Sequence, residues 1–114
     1  MANTNNDTES KVMKEDRGTL KDDQGNQVDR HENIMNIALI DDEMTQLLIM
    51  LNITTLDDII KTGAVNIYTK MKEKLDYYPS IEILYLLGNI ERRGVISTFI
   101  EREHREQLTL EALK

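Results

Sequence analysis

The distribution of hydrophobic positions divides the chain into two parts. Residues 1–33 contain six apolar side chains with neither a helical nor a strand period, among Asn, Asp, Gln, Lys and Gly. Such a segment buries too little apolar surface to offset the entropy lost on ordering. We therefore predict a disordered polar tail over residues 1–33 and a folded domain over residues 34–114, where Ile, Leu, Met and Tyr recur at helical spacing.

Two short helices joined by a tight turn are predicted at the start of the folded domain. The first runs over about 42–51, on an i, i+3, i+4, i+7 stripe formed by Met44, Leu47, Leu48 and Leu51. Asp41 or Asp42 is suited to cap this helix, and Asn52 tolerates the left-handed conformation at its end. Thr55 is a natural N-cap for the second helix, and Gly63 ends it.

Three further helices are predicted over about 64–75, 81–92 and 101–113. Pro79 cannot continue a helix, and Ser80 is suited to cap the next one. Gly88 lies inside that most apolar helix at a cost of about 1 kcal/mol relative to Ala, which indicates close approach by another helix. Gly94 ends the element, and the last helix is expected to bury Leu108 and Leu113.

The segment VISTFI at residues 95–100 is β-branched and aromatic, and we interpret it as a linker that places Ile96, Phe99 and Ile100 in the core. The piece at residues 16–29 contains turn signals compatible with a transient hairpin, but its composition favours plain tail. No pair of strands with hairpin signals follows. The predicted fold class is therefore all-α, a compact bundle of about five short helices with a helix-hairpin-helix-like element.

The composition of the chain excludes or disfavours several classes of function. The 114 residues carry 14 Lys+Arg against 21 Asp+Glu, a net charge of −7, which disfavours non-specific binding to DNA or an anionic membrane. The absence of cysteine excludes disulfides, thiol catalysis and thiolate zinc sites. No apolar run approaches the ~20 residues that span a bilayer, and the N-terminus lacks a signal-peptide pattern. We expect a cytoplasmic protein that does not bind membranes.

Neither a metal site nor a catalytic site is predicted. When Gly25 is placed at the sixth position of an EF-hand loop, only Asp22 fits the acidic template, so calcium binding is not expected. His31 falls in the tail and His104 on a helix surface beside charged neighbours. No Ser/His/Asp order, phosphate loop or metal spacing is present. We expect a protein without enzymatic activity and without a cofactor.

Nucleic-acid binding is the alternative that the basic residues leave open. Candidate phosphate contacts are Lys70, Lys74, Arg92, Arg93, Arg102 and Arg105. Acidic residues are interleaved with them, which is typical of solvated helix faces rather than of a basic patch. The helix-hairpin-helix-like turn opens with Asp41 and Asp42, where a phosphate would need free backbone amides and positive charge. We interpret these carboxylates as an ordinary helix cap.

Three tyrosines are the candidates for contact with a partner, namely Tyr77, Tyr78 and Tyr85. Two adjacent tyrosines before a proline cannot both point inward, so at least one is expected to be exposed. An exposed Tyr beside Met-rich apolar residues is typical of protein contact surfaces. We predict a protein partner or self-association through this surface.

The stretch LNITTLDDIIKTGAVNIYTKMK, followed by SIEILYLLGNIERRG, resembles the C-terminal domain of the TfoX/Sxy competence-regulator family, over about residues 37–112. The positions that match the family pattern are Ile53, Thr55, Leu56, Asp58, Gly63, Ala64, Val65, Tyr68, Leu84, Tyr85, Leu86 and Ile90. The sequence departs from it in two places. The family usually has Ile-Gly-Pro where this chain has Ile40, Asp41 and Asp42, and Gly where it has Asn52.

The resemblance implies a compact five-helix domain related to helix-hairpin-helix modules, with a regulatory role in the transcription of DNA-uptake genes. In full-length members the domain follows a separate α/β domain, for which residues 1–33 offer no counterpart. The function expected from the sequence is therefore a small helical regulatory module that works by protein contact. DNA binding through a basic C-terminal patch is the alternative.

Overall fold

Residues 18–113 are described here in a computed structural model of the chain. Within them the order of elements is strand β1 (Thr19–Asp22), strand β2 (Gln27–Asp29), a 3-10 turn (Ile34–Asn36), helices α1 (Asp42–Met50), α2 (Leu56–Thr62), α3 (Ala64–Leu75) and α4 (Ile81–Gly88), a π-helical turn (Asn89–Arg93), strand β3 (Val95–Ile96) and helix α5 (Arg102–Ala112). The described part is therefore mostly helical, with a small three-stranded sheet.

Local capping chemistry sets the helix boundaries. The Asp41 carboxylate accepts from the backbone N of Met44 at 2.8 Å and starts α1. Thr55 and Asp58 form a reciprocal capping box at α2. The other four turn and cap residues named from the sequence have the matching geometry: Asn52, Gly63 and Gly94 have positive φ, and Ser80 accepts from the backbone N of Glu82.

The core is built around α4. Leu84 and Leu87 of α4 and Ile90 of the π-helical turn are fully buried, where α4 packs on α3 and the π-helical turn packs on α2. Helix α5 packs closely on α4 at Gly88, where there is no side chain. A Cβ atom at this position would lie 2.4 Å from the Leu108 Cδ1 atom, which is too close for a real contact. The close approach predicted at Gly88 is thus found, and its partner is the one buried leucine of α5.

The expectation of a purely helical fold is wrong. Strand β1 pairs antiparallel with β2 and parallel with β3, so that Leu20 is buried. Asp22 builds the turn of this hairpin, since its carboxylate accepts from the backbone N of Gln24 at 3.0 Å and of Asn26 at 2.8 Å. Residues 18–33 are therefore not a disordered tail, whereas residues 1–17 lie outside the described part.

Backbone pairing joins the segment after this hairpin to the start of α2. Ile34 N donates to Thr54 O at 2.9 Å, and Leu56 N donates to Glu32 O at 3.1 Å. The Arg30 Nε atom donates to the Asp57 carboxylate at 2.6 Å. Lys61 Nζ lies 3.0 Å from the other oxygen of this carboxylate. A buried aspartate thus holds the N-terminal hairpin against the helices.

Two apolar residues expected in the core are exposed. Phe99 has 79% of its surface exposed and Leu113 has 44%. The buried amide of Asn89 donates to the carbonyls of Ser97 at 2.7 Å and Phe99 at 2.8 Å. These bonds fix a loop in which Ile100 turns inward and the Phe99 ring points out. Leu113 follows the last residue of α5 and has left the inward-facing stripe.

Candidate functional site

An open groove lies between α1, the α3–α4 connection and the first turns of α4. Its volume is about 270 Å³. The apolar lining consists of Leu39, Met44, Leu47, Leu75, Tyr77, Pro79, Ile83 and Leu86, and the polar lining consists of Asp41, Glu43, Ser80, Glu82 and Thr98. A concave surface with this mixed lining can accommodate apolar side chains that have polar or charged neighbours.

Two turns direct apolar side chains toward the groove. Ile37 and Ile40 are buried, and the hydrogen bond from Ile40 N to Ile37 O closes a tight turn that leaves Leu39 38% exposed. Asp76 ends α3 in the left-handed conformation, with φ +65°, and Tyr77 then projects with 59% of its surface exposed. The groove therefore has a partly exposed apolar side chain on each side, Leu39 and Tyr77.

Tyr68 anchors the connection that carries Tyr77. Its hydroxyl donates to the Pro79 carbonyl at 2.6 Å. Burial of the Tyr68 ring raises the pKa of its phenol, and the neighbouring Tyr78 and Tyr85 hydroxyls act in the same direction. The phenol is consequently a permanent donor at neutral pH, and the wall formed by residues 77–79 is held in place.

The rim of the groove is negatively charged. Asp41, Glu43 and Glu82 line it, and the lining contains neither Lys, Arg nor His. Within residues 18–113 none of these three carboxylates forms an ion pair. The N-termini of α1 and α4 each contribute roughly half a positive charge. Three full negative charges exceed these two dipole ends, so the net local charge is about −2.

The structure does not bring the three predicted contact tyrosines together. Tyr77 lines the groove. Tyr78 stacks on Tyr68 with ring centroids 6.2 Å apart, and Lys72 Nζ lies 5.2 Å from the Tyr78 centroid. Tyr85 is half-buried and lines a separate depression beside α5, together with Arg105. Of the three, Tyr77 is the one that borders the groove.

The predicted nucleic-acid contacts are also dispersed. Lys70 and Lys74 border a shallow depression with Leu51 and Glu73. Arg105 borders the depression beside Tyr85. Arg92 and Arg93 border a third one, with His104 and other residues of α5. Five of these six cationic side chains thus border three different depressions, and Arg102 lies exposed on α5.

Three of the arginines are engaged in ion pairs. Arg92 binds both oxygens of Glu111, at 2.8 and 3.2 Å, and this hydrogen bonding raises the pKa of Arg92. Arg93 lies 3.1 Å from His104 Nδ1 and 3.7 Å from a Glu101 oxygen. The Arg102 Nε atom pairs with a Glu106 oxygen at 3.1 Å. Each of these three arginines thus already has a carboxylate partner, with which a phosphate would have to compete.

Sequence reasoning missed most of the groove. Its walls combine the turn at Leu39, the end of α3 and the first turn of α4, which are distant in the sequence. One local signal was available, because Glu43 and Glu82 occupy equivalent first-turn positions of two helices.

Among residues 18–113 there is no group of three or more side chains arranged to hold a metal ion. In the same range no helix has the length and apolar content that crossing a membrane requires.

These features define a small, mostly helical module with an open groove whose rim is acidic. Residues 30–112 match the family model of the TfoX C-terminal domain. The chain therefore belongs to the TfoX C-terminal domain family, as the resemblance in its sequence indicated. Searches of the curated proteins and of the solved structures returned no match.

Proposed function

We propose that this protein is a non-enzymatic regulatory module that acts by contact with another protein. The observation that carries the proposal is the groove, where Leu39 and Tyr77 remain exposed around an apolar lining. Burying exposed apolar surface is the main source of free energy in protein association. Aromatic residues at the edge of such a groove are typical anchor points of an interface.

DNA binding is the alternative function, and the charge distribution supports it less well. A DNA site needs several unpaired cations on one surface, because phosphate neutralisation supplies most of the affinity. Here five of the six candidate cations border three different depressions, and Arg92, Arg93 and Arg102 already contact carboxylates. The net charge of −7 opposes long-range attraction to DNA.

The cellular role that we propose is regulation of transcription or competence in the bacterial cytoplasm. Its support is family membership over residues 30–112. A module that contributes a docking surface suits regulation, because it alters the activity of a partner without any chemistry of its own.

Site-specific photocrosslinking in cells tests the contact. A photoreactive phenylalanine analogue replaces Tyr77, and in a matched variant it replaces Thr69, an exposed residue of α3 outside the groove lining. We expect a discrete protein adduct from position 77 and none from position 69. Equal adducts at both positions, or none at either, would contradict the proposal.

A gel-shift series against salt separates the two functions. Protein contact predicts no shift of duplex DNA, even at low salt. A shift that weakens steeply as salt rises, and that is lost in Arg102→Gln/Arg105→Gln, would establish the alternative instead.

A further inference from the structure

We propose that the groove binds a cationic amphipathic segment of a partner protein, with apolar side chains flanked by Lys or Arg. This inference rests on the proposed function and names the class of partner. Three properties of the groove carry it, namely its size, the charge of its rim and the position of that charge relative to the apolar lining.

The size indicates side chains rather than a small cofactor. A closed cavity of ~150 Å³ is enough to hold a benzene molecule, so a groove of about 270 Å³ accommodates about two apolar side chains. Sites for drug-sized molecules are usually larger and enclose most of the ligand, at roughly 300–1,000 Å³. An open groove of this size therefore suits anchors that project from a chain lying across it.

The charge of the rim selects the sign of the partner. Asp41, Glu43 and Glu82 border the groove, and no cationic side chain belongs to its lining. Phosphate groups and acidic peptides are repelled by this arrangement, whereas Lys and Arg are attracted. Complementary charge of this kind determines specificity and speeds the encounter more than it adds affinity.

The position of the charge determines the pattern that the partner must have. Glu43 belongs to α1 and Glu82 to α4, so carboxylates stand on both helices that enclose the apolar lining. Apolar anchors between these helices place their flanking residues next to the carboxylates. The matching segment therefore has cationic residues on both sides of its apolar side chains, a pattern common on one face of amphipathic helices.

A second copy of this chain is a less suitable occupant. Each copy has a net charge of −7, which opposes self-association. On another surface, Lys70 and Lys74 border one depression together with Leu51, which is a smaller example of an apolar residue with cationic neighbours. Glu73 borders the same depression and weakens the match. Self-association through these lysines is therefore an outcome that the experiment must separate from binding of another protein.

Fluorescence anisotropy with synthetic peptides tests the inference on the full chain. The probe is a labelled amphipathic peptide with Leu anchors flanked by Lys. Two matched peptides carry Glu in place of Lys or Ser in place of Leu. We expect the Leu/Lys peptide to bind, with affinity that falls as salt rises, and both matched peptides to bind at least tenfold more weakly, as about 1.4 kcal/mol of lost contact would produce.

Charge-reversed variants locate the binding. An exposed charge pair contributes up to about 1 kcal/mol, or about fivefold, so Glu43→Lys and Glu82→Lys should each weaken the Leu/Lys peptide roughly five- to tenfold. Glu73→Lys makes the same charge change on α3 outside the groove and should leave binding within about twofold. The double variant Glu43→Lys/Glu82→Lys should gain affinity for the Leu/Glu peptide. Circular dichroism melts confirm that each variant is folded.

Equal binding of the Lys and Glu peptides, or equal weakening by Glu73→Lys and Glu43→Lys, would overturn the inference. Sedimentation that shows self-association abolished by Glu43→Lys and by Lys70→Glu would overturn it too, in favour of a second copy. If position 77 gives a protein adduct but the peptides bind equally well, the claim that the partner is cationic is overturned and the proposed protein contact stands. Absence of that adduct removes the proposed function itself.

Discussion

Asp57 offers the sharpest test of how the N-terminal hairpin is held to the helices. Its carboxylate is buried and contacts Arg30 and Lys61. The substitution Asp57→Asn keeps the shape of the side chain and removes its charge. Both cations then lose their contact with a charged carboxylate, and the segment that follows β2 keeps only its backbone hydrogen bonds to the start of α2 and any contact that does not involve this charge.

The magnitude follows from the exposure of the partners. Removal of one partner from a fully buried ion pair costs about 3–5 kcal/mol. Here the Arg30 side chain is 23% exposed and that of Lys61 is 72% exposed, so water compensates part of the loss. The amide oxygen of Asn also retains one acceptor. We expect Asp57→Asn to lower the free energy of unfolding by about 2 kcal/mol at pH 7, within the range for hydrogen bonds to charged groups.

The dependence on pH distinguishes lost charge from altered packing. Burial alone would raise the pKa of Asp57, but the hydrogen bonds and charges of Lys61 and Arg30 outweigh it and hold the pKa below its ordinary value. Stabilisation by the carboxylate is therefore complete above the unfolded pKa of about 3.9. It is lost as the pH falls through the lower pKa of the folded state.

Urea denaturation followed by far-UV circular dichroism at several pH values measures this effect. The difference between the wild type and Asp57→Asn should be constant from about pH 5 to 7 and should shrink below about pH 4. Glu73→Gln is the matched control, since Glu73 is exposed and forms no ion pair within residues 18–113; its effect should stay within about 0.5 kcal/mol. A difference below about 0.5 kcal/mol at pH 7, or one that is undiminished at pH 3, would refute the reasoning.

The remaining predictions concern single contacts. Asn89→Ala removes both bonds to the 97–99 loop and should cost about 2 kcal/mol, with faster amide exchange at residues 97–100; unchanged exchange there would contradict the role of Asn89. Leu108→Ala should cost about 2–5 kcal/mol and raise exchange across α5 before the other helices, and uniform exchange would show that α5 has another anchor. Thr55→Ala should cost about 1 kcal/mol by urea denaturation, whereas Thr69→Ala, outside any cap, should be nearly neutral.

The helices could be predicted from the sequence because their boundaries depend on neighbouring residues. Asp41, Thr55 and Ser80 each accept from a backbone N two or three residues further along the chain. Gly63 and Gly94 adopt positive φ at helix ends, where glycine is the least strained residue. Interactions of such short range are visible in any window of the sequence.

The pairing of β1 with β3 could not be predicted, because it joins residues about 75 positions apart in the chain, whereas the local β1–β2 hairpin has turn signals in the sequence and was rejected on its polar composition. Strand β1 has one fully buried side chain, Leu20, and its partner β3 has two residues. Neither segment shows enough alternation to be identified alone. The direction of Phe99 depends likewise on Asn89, whose amide binds the loop from the end of α4.

The groove also combines a feature that the sequence predicts with features that depend on residues distant in the chain. The sequence predicts that at least one of Tyr77 and Tyr78 is exposed, and in the structure both are. The residues next to Tyr77 could not be predicted, because Leu39 and Glu43 are distant from it in the sequence and meet it only in the folded structure. The acidic opening of α1, which first argued against phosphate binding at the hairpin, therefore also forms one side of the groove rim.

The most direct test of the central claim is photocrosslinking from position 77 with the rim intact and with Glu43→Lys. If the groove is a docking site for a cationic segment, the intact rim gives a discrete protein adduct and Glu43→Lys abolishes or strongly weakens it. Glu73→Lys, the matched control, leaves the adduct unchanged. An adduct that is indifferent to Glu43→Lys, or no adduct with the intact rim, would contradict the claim.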